Sequence, residues 1–209
     1  MCGIIGYQNI EGSPDTDGFL RLIEQSNIRG LHAFGLATVA GVTKSLKPFA
    51  AGFIRDTLRS CPAWLYHNRY STSGDWSEPR NNQPLTREGV SIVMNGVICQ
   101  EPREVWERVT GWKYLSENDT EILLRKITNG ENISVWLQKT KASVAALILL
   151  DGKVCAFRNL KRPLRYVQTD TGILVASTAD IFRRAGYTQE IKNIEPFKLV
   201  WLEELWMSD

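Results

Sequence analysis

Along this chain strands come in runs and helices come in runs, and that grouping limits the fold more than any single motif does. The clearest piece is a hairpin, Ser143 to Leu150 returning as Lys153 to Phe157 through an Asp151-Gly152 turn. Another turn, Asp170-Thr171-Gly172, separates Tyr166-Val167-Gln168 from Ile173-Leu174-Val175. Further strands are expected at Gly3-Ile4-Ile5-Gly6, Gly35 to Val42, Ala63 to Tyr70, Val90 to Ile98 and Phe197 to Trp201. Asp15 or Asp17 caps a helix whose Phe19, Leu22, Ile23 and Ser26 share one face, and Gly30 sits where that helix should end. Pro102 suits the first turn of a helix carrying Val105, Trp106 and Val109 and closed by Gly111. Ser116 or Asn118 caps the next, with Leu123, Leu124 and Ile127 inward and Asn129-Gly130 at its end. A shorter helix spans Ile133 to Lys139, and Ser177-Thr178-Ala179-Asp180 reads as a capping box before Ile181, Phe182 and Ala185. The pattern predicts an α+β layered sandwich. With no internal repeat or linker composition in 209 residues, residues 1–209 read as one domain.

Composition narrows the function classes. A formal charge of +2 gives no pull toward polyanions, and no nucleic-acid-binding module is recognisable, so nucleic acid is not an expected partner. Cys2, Cys61, Cys99 and Cys155 lack the paired spacing of a zinc site, and only His32 and His67 are available as histidine ligands, so no metal and no cofactor is expected. The longest apolar stretch, Ala142 to Leu150, is too short to span a bilayer, and no charged leader precedes an apolar run. The expectation is a cytoplasmic protein with reduced thiols and no membrane partner.

Three stretches carry the chemistry. If Met1 is removed, Cys2 presents a thiol and a free α-amine on one carbon. With pKa values of roughly 8.5 and 7.7–8.0, the amine can hold a proton taken from the thiol near neutral pH, so one residue supplies nucleophile and base. A lone cysteine read without context is a small buried hydrophobe. The long stretch from Ser71 to Pro84, rich in hydroxyls around Trp76, has the length of a functional loop. Asn95-Gly96 between apolar residues reads, taken alone, as a tight hairpin turn.

Taken together, these segments resemble the glutaminase domain of class II glutamine amidotransferases, which are N-terminal nucleophile hydrolases. The blocks occur in the family's order: Cys2-Gly3-Ile4-Ile5-Gly6; Arg29-Gly30 followed by Gly35; His67-Asn68-Arg69-Tyr70-Ser71-Thr72-Ser73-Gly74 running to Asn82-Gln83-Pro84; Asn95-Gly96-Val97-Ile98; and Asp119-Thr120-Glu121. The resemblance covers nearly the whole chain. It implies a four-layer αββα sandwich and hydrolysis of L-glutamine to glutamate and ammonia through a thioester on Cys2. It further implies that the Asn95 side chain and the Gly96 amide stabilise the oxyanion, displacing the hairpin reading, and that Arg29 and Gly30 lie beside the nucleophile. Arg69 would hold the substrate carboxylate, Asp119 its ammonium, and Thr72 and Ser73 would add contacts. Because the blocks consume the chain, the expected acceptor is a separate ammonia-accepting synthetase protein partner.

The chain departs from the family at Ile28 and Met94, where histidine is common, and in the reduced segment Arg158 to Leu164. Arg158, Lys161, Arg162 and Arg165 read as a solvated basic loop. Cys61, Cys99 and Cys155 read as structural, and His32 and His67 as locally hydrogen-bonded. Two other functions fit the same residues: a self-sufficient hydrolase of another γ-glutamyl amide, and a catalytically idle binding or regulatory subunit.

Overall fold

The computed structural model describes residues 2–72 and 74–206. In chain order the elements are β1 (Gly3–Asn9), α1 (Thr16–Ser26), β2 (Ala33–Thr38), β3 (Gly41–Ser45), α2 (Ala51–Arg59), β4 (Ala63–Arg69), β5 (Leu85–Arg87), β6 (Val90–Val97), α3 (Arg103–Thr110), α4 (Thr120–Thr128), α5 (Ile133–Lys139), β7 (Ser143–Leu150), β8 (Lys153–Arg158), β9 (Arg165–Gln168), β10 (Gly172–Ala176), α6 (Ala179–Arg184), β11 (Lys192–Asn193), β12 (Val200–Trp201) and α7 (Leu202–Trp206). The described strands form a seven-stranded sheet, ordered β11-β9-β10-β1-β4-β2-β3, and a five-stranded sheet, ordered β12-β8-β7-β6-β5.

Three apolar seams stack the layers. Phe19 and Leu22 of α1, Ile54 and Leu58 of α2 and Phe182 of α6 cover one face of the larger sheet, meeting Tyr7, Trp64 and Tyr66. Ile4, Ala37 and Leu65 of that sheet meet Val93, Leu147 and Val154 of the smaller one across the middle seam. Leu123, Leu124, Ile133 and Leu137 of α4 and α5 cover the outer face of the smaller sheet over Ile92, Met94 and Phe157. The result is the αββα arrangement. It explains why β1 is a continuous apolar run: Ile5 and Tyr7 face the helices while Ile4 faces the second sheet, and both faces are buried. In the helix-side seam Phe19 sits 4.5 Å from Tyr7 and 4.8 Å from Trp64 between ring centroids. Each such ring contributes on the order of 2–3 kcal/mol by burial.

Local signals held where the partner is near in sequence. Asp15 accepts from the Gly18 amide at 2.9 Å and caps α1, and Gly111 closes α3 at φ 72°. The α4 start is held by Asn118, whose Oδ1 accepts from the Thr120 amide at 3.1 Å. Other expectations are corrected. The stretch Gly35 to Val42 is not one strand, since β2 stops at Thr38 and β3 begins at Gly41. Val109 does not join the inner face of α3 but is 77% exposed. Ser177 makes no capping box: the Thr178 N-cap lacks a side-chain bond, and Ser177 Oγ instead accepts from the Ile4 amide at 2.9 Å, tying β1 to the end of β10. The last strand shrinks to Val200–Trp201 and runs into α7, with Phe197 at φ 65°.

Gly35 shows how the larger sheet carries the loop that follows β4. A Cβ there would overlap the Gln83 carbonyl oxygen and the Pro84 ring. Gln83 in turn donates to Thr120 Oγ1 at 2.9 Å and accepts from the Met94 amide. Gly35→Ala is therefore expected to lose about 2–3 kcal/mol by forcing this segment off β2. Urea denaturation checks it: an unchanged midpoint would mean that the loop yields without cost.

Candidate active site

The antiparallel register of β1 with β4 pairs Gly3 with Asn68, which sets Cys2 beside the end of β4, where Arg69 also faces Ala33 of β2. The Cys2 thiol donates to the Tyr70 carbonyl at 3.6 Å, and Arg29 Nε donates to the Cys2 carbonyl at 2.9 Å. Loss of surrounding water pushes the Cys2 thiol pKa up, opposed by the positive charges of Arg69 and Arg29. Gly30 follows Arg29 against the backbone of Arg69 and Tyr70, where a Cβ would overlap both, and Asn68 Nδ2 donates to the Gly30 carbonyl at 3.1 Å. Arg29 and Gly30 thus lie beside Cys2. Gly30 ends the short 3₁₀ turn Asn27–Arg29 in extended backbone, without the left-handed turn of a helix C-terminus.

Asn95 and Gly96 do not turn. They continue β6, paired with Ala145 and Val144 of β7. Gly96 is required because a Cβ would overlap the Ser143 carbonyl oxygen of the neighbouring strand. Asn95 is buried, and its Nδ2 has no hydrogen-bond partner.

A cavity of about 20 Å³ brings together Cys2, Arg69, Thr72, Gly96 and Asp119, joined by Tyr70, Gln83, Met94, Asn118 and Thr120. That volume holds about one water. Arg69 Nη1 donates to the Asn81 carbonyl and to Asn82 Oδ1, each at 2.6 Å, so this guanidinium also pins the loop between β4 and β5. Asp119 Oδ2 accepts from the Ile98 and Cys99 amides at 2.6 and 3.1 Å. Burial raises the Asp119 pKa against the pull of those amides. Ser73 lies outside the described residues, as does Met1.

Two groups depart from expectation. His32 accepts from the Ser71 amide at 2.9 Å as anticipated, but neither ring nitrogen of fully buried His67 has a partner. Burial, with the charges of Arg69 and Lys44, lowers the His67 pKa to about 3 and keeps it neutral. The basic run is not simply solvated: Arg158 Nε donates to the Ile194 carbonyl at 2.6 Å and Arg162 Nε to Ser143 Oγ at 3.2 Å, next to the β6 terminus. Met94 and Asn118 are cavity residues that sequence reasoning missed. Tyr70, Gln83 and Thr120 fell inside the recognised blocks without an assigned part. Among the described residues no group of three or more His, Cys, Asp or Glu is placed to hold a metal ion, and no helix is long and apolar enough to cross a membrane.

No family model matches the chain. It is 28% identical over 167 residues to glutamine–fructose-6-phosphate aminotransferase (isomerizing) of Rhizobium meliloti, covering 72% of this chain and 27% of that protein. The chain therefore spans about a quarter of the length of the curated relatives it matches. Among solved structures, glutamine phosphoribosylpyrophosphate amidotransferase from B. subtilis superimposes with a TM-score of 0.68 at 18% identity, over 93% of this chain and 46% of that one. A glutamine aminotransferase class-II domain protein from Silicibacter pomeroyi gives 0.50 at 14% identity, over 93% and 92%. The chain is thus similar in sequence to glutamine amidotransferases of class II and shares the αββα fold of their solved structures.

Proposed function

We propose that the chain, as one domain, hydrolyses L-glutamine to glutamate and ammonia. One observation carries this reading: Cys2 and Gly96 line the same cavity as Arg69 and Asp119, so a nucleophile and a backbone donor share one site with groups of opposite charge. With Met1 removed, the Cys2 sulfur attacks the side-chain carbonyl and its proton passes, through water, to the α-amine. The oxygen that gains charge is met by Asn95 Nδ2 and the Gly96 amide. The C–N bond then breaks, the ammonium proton leaves with ammonia, and water hydrolyses the thioester to glutamate and the free thiol. Arg69 holds the substrate carboxylate and Asp119 its ammonium, with Thr72 and Ser73 adding contacts. Glutamine needs far more room than one water, so entry displaces cavity residues.

The ammonia is passed to a separate synthetase partner in the cytoplasm. Exposed apolar side chains around this end of the sandwich support such a partner: Ile28 and Leu31 flank Arg29-Gly30, Tyr70 follows β4, and Leu160 lies in the loop of Arg162. The deciding experiment is ammonia release from glutamine, with and without co-purifying proteins. Stimulation by a partner is expected, and no release under either condition overturns the reading.

Two substrate-binding changes follow. Arg69→Ala is expected to raise the KM for glutamine at least about tenfold. Because Arg69 also pins Asn81 and Asn82, it should loosen that loop as well, read as faster proteolysis there. The raised pKa of Asp119 means that its carboxylate is lost on acidification earlier than an ordinary Asp. KM should therefore rise as pH falls, beginning above the usual carboxylate range, and a flat KM down to that range removes Asp119 from ammonium binding.

A further inference from the structure

A second cavity, of about 200 Å³, opens among Lys44, Arg80, Arg87, Leu85, Leu115 and Glu121, and shares no lining residue with the Cys2 cavity. Its charge is unbalanced. Lys44, Arg80 and Arg87 contribute three cations, and Glu121 is the one carboxylate among the lining residues. Glu121 is already committed: it accepts from the Leu115 and Ser116 amides and from Ser116 Oγ at 2.7–3.1 Å, and lies 3.7 Å from Arg125 Nε. The arginines do meet carboxylates outside: Arg80 lies 3.9 Å from Glu78 in an exposed, weak pair, and Arg87, 34% exposed, lies 2.8 Å from Glu88. Arg87 Nε is buried with no hydrogen-bond partner. Lys44 donates only to a neutral group, the Pro79 carbonyl at 3.2 Å, and burial with the nearby charge of Arg69 lowers its pKa to about 8. An anion would answer both deficits. The opposite wall is apolar, formed by Leu85, Leu124 and Leu115, the last 75% exposed.

We infer that this cavity binds a small phosphate monoester, its phosphate between Lys44 and Arg87 and its organic part against Leu115 and Leu124. A dianion answers more of this positive charge than a monocarboxylate does. The cavity is smaller than the roughly 300–1,000 Å³ of drug-sized sites, which limits the organic part to a few carbons or one ring. Lys44 also grips the turn Pro79–Asn81, to which Arg80 itself belongs, and Asn81 and Asn82 hold Arg69. A bound phosphate therefore fastens the segment that positions Arg69. That consequence rests on the glutaminase reading; the binding itself does not.

Isothermal titration of the full chain with phenyl phosphate, inorganic phosphate and benzoate tests the site. Saturable 1:1 binding of phenyl phosphate is expected, tighter than either other probe. Arg87→Ala and Lys44→Gln should each weaken it about tenfold or more. In the wild-type chain, phenyl phosphate should also slow acetylation of Lys44 at pH 8, read by mass spectrometry, which decides the matter even if a variant fails to fold. Absence of saturable heat, affinity unchanged in both variants, unprotected Lys44, or benzoate or inorganic phosphate binding as tightly as phenyl phosphate would each overturn the assignment.

Discussion

Cys2→Ala is expected to abolish ammonia release from glutamine, by at least about a thousandfold, while leaving the folded state almost untouched. The two halves have separate physical sources. The sulfur is the only protein atom of the proposed mechanism that bonds to substrate carbon, so nothing else can form the thioester. In the resting structure that sulfur's hydrogen bond is a long one, 3.6 Å to the Tyr70 carbonyl. Its backbone carbonyl, which Arg29 grips, survives the substitution. Thermal unfolding should therefore change little, in contrast with the loss expected at Gly35. Thiol chemistry gives an independent measure. Burial raises the Cys2 pKa and favours the neutral thiol at neutral pH, while Arg69 and Arg29 favour the thiolate. Alkylation by iodoacetamide should be slow near pH 7 and accelerate as pH rises past the ordinary thiol range. Undiminished turnover in Cys2→Ala, or fast alkylation that is flat with pH, would remove Cys2 from the chemistry.

How much of this was legible depended on how far the deciding contact lies along the chain. The α5 helix, Ile133–Lys139, and the β7–β8 hairpin at Asp151-Gly152 are set by neighbours, and their boundaries followed from sequence alone except that β8 runs one residue further, to Arg158. Asp119 and Cys2 were named through recurring blocks, and the sheet registers explain why such distant residues converge. What stayed hidden are choices made across space. Gly96 is required by the carbonyl of Ser143 on the next strand. Ser177 had the spacing of a helix cap, but Ile4, distant in sequence, claims its hydroxyl. Val109 had helical periodicity, yet it is left exposed, since α3 buries Trp106 in a small cluster with Tyr114 and Ile122. His67 has polar atoms that sequence reasoning expects to be paired, and no local pattern signals that they are not. Arg69 was read as a ligand for substrate, and its second task of holding Asn81 and Asn82 depends on how the loop folds back.

Asn95→Ala should lower kcat by about a hundred- to a thousandfold, the usual cost of one oxyanion donor, at little cost in stability. A buried asparagine ordinarily anchors the fold through its amide, and truncating it strands a partner group at a cost of about 1–3 kcal/mol. Here Nδ2 has no partner to strand. The unpaired donor already carries a desolvation cost in the resting protein, which a developing oxyanion would relieve. Stability and rate should consequently move in opposite directions when the amide becomes an apolar group of similar shape. Asn95→Leu is expected to keep or raise the urea midpoint while losing as much kcat as Asn95→Ala. Asn95→Asp should lose both, because it buries an acceptor or a charge where a donor is needed. If Asn95→Leu instead unfolds the protein as readily as it slows ammonia release, the side chain holds β6 in place and the negative oxygen is stabilised elsewhere.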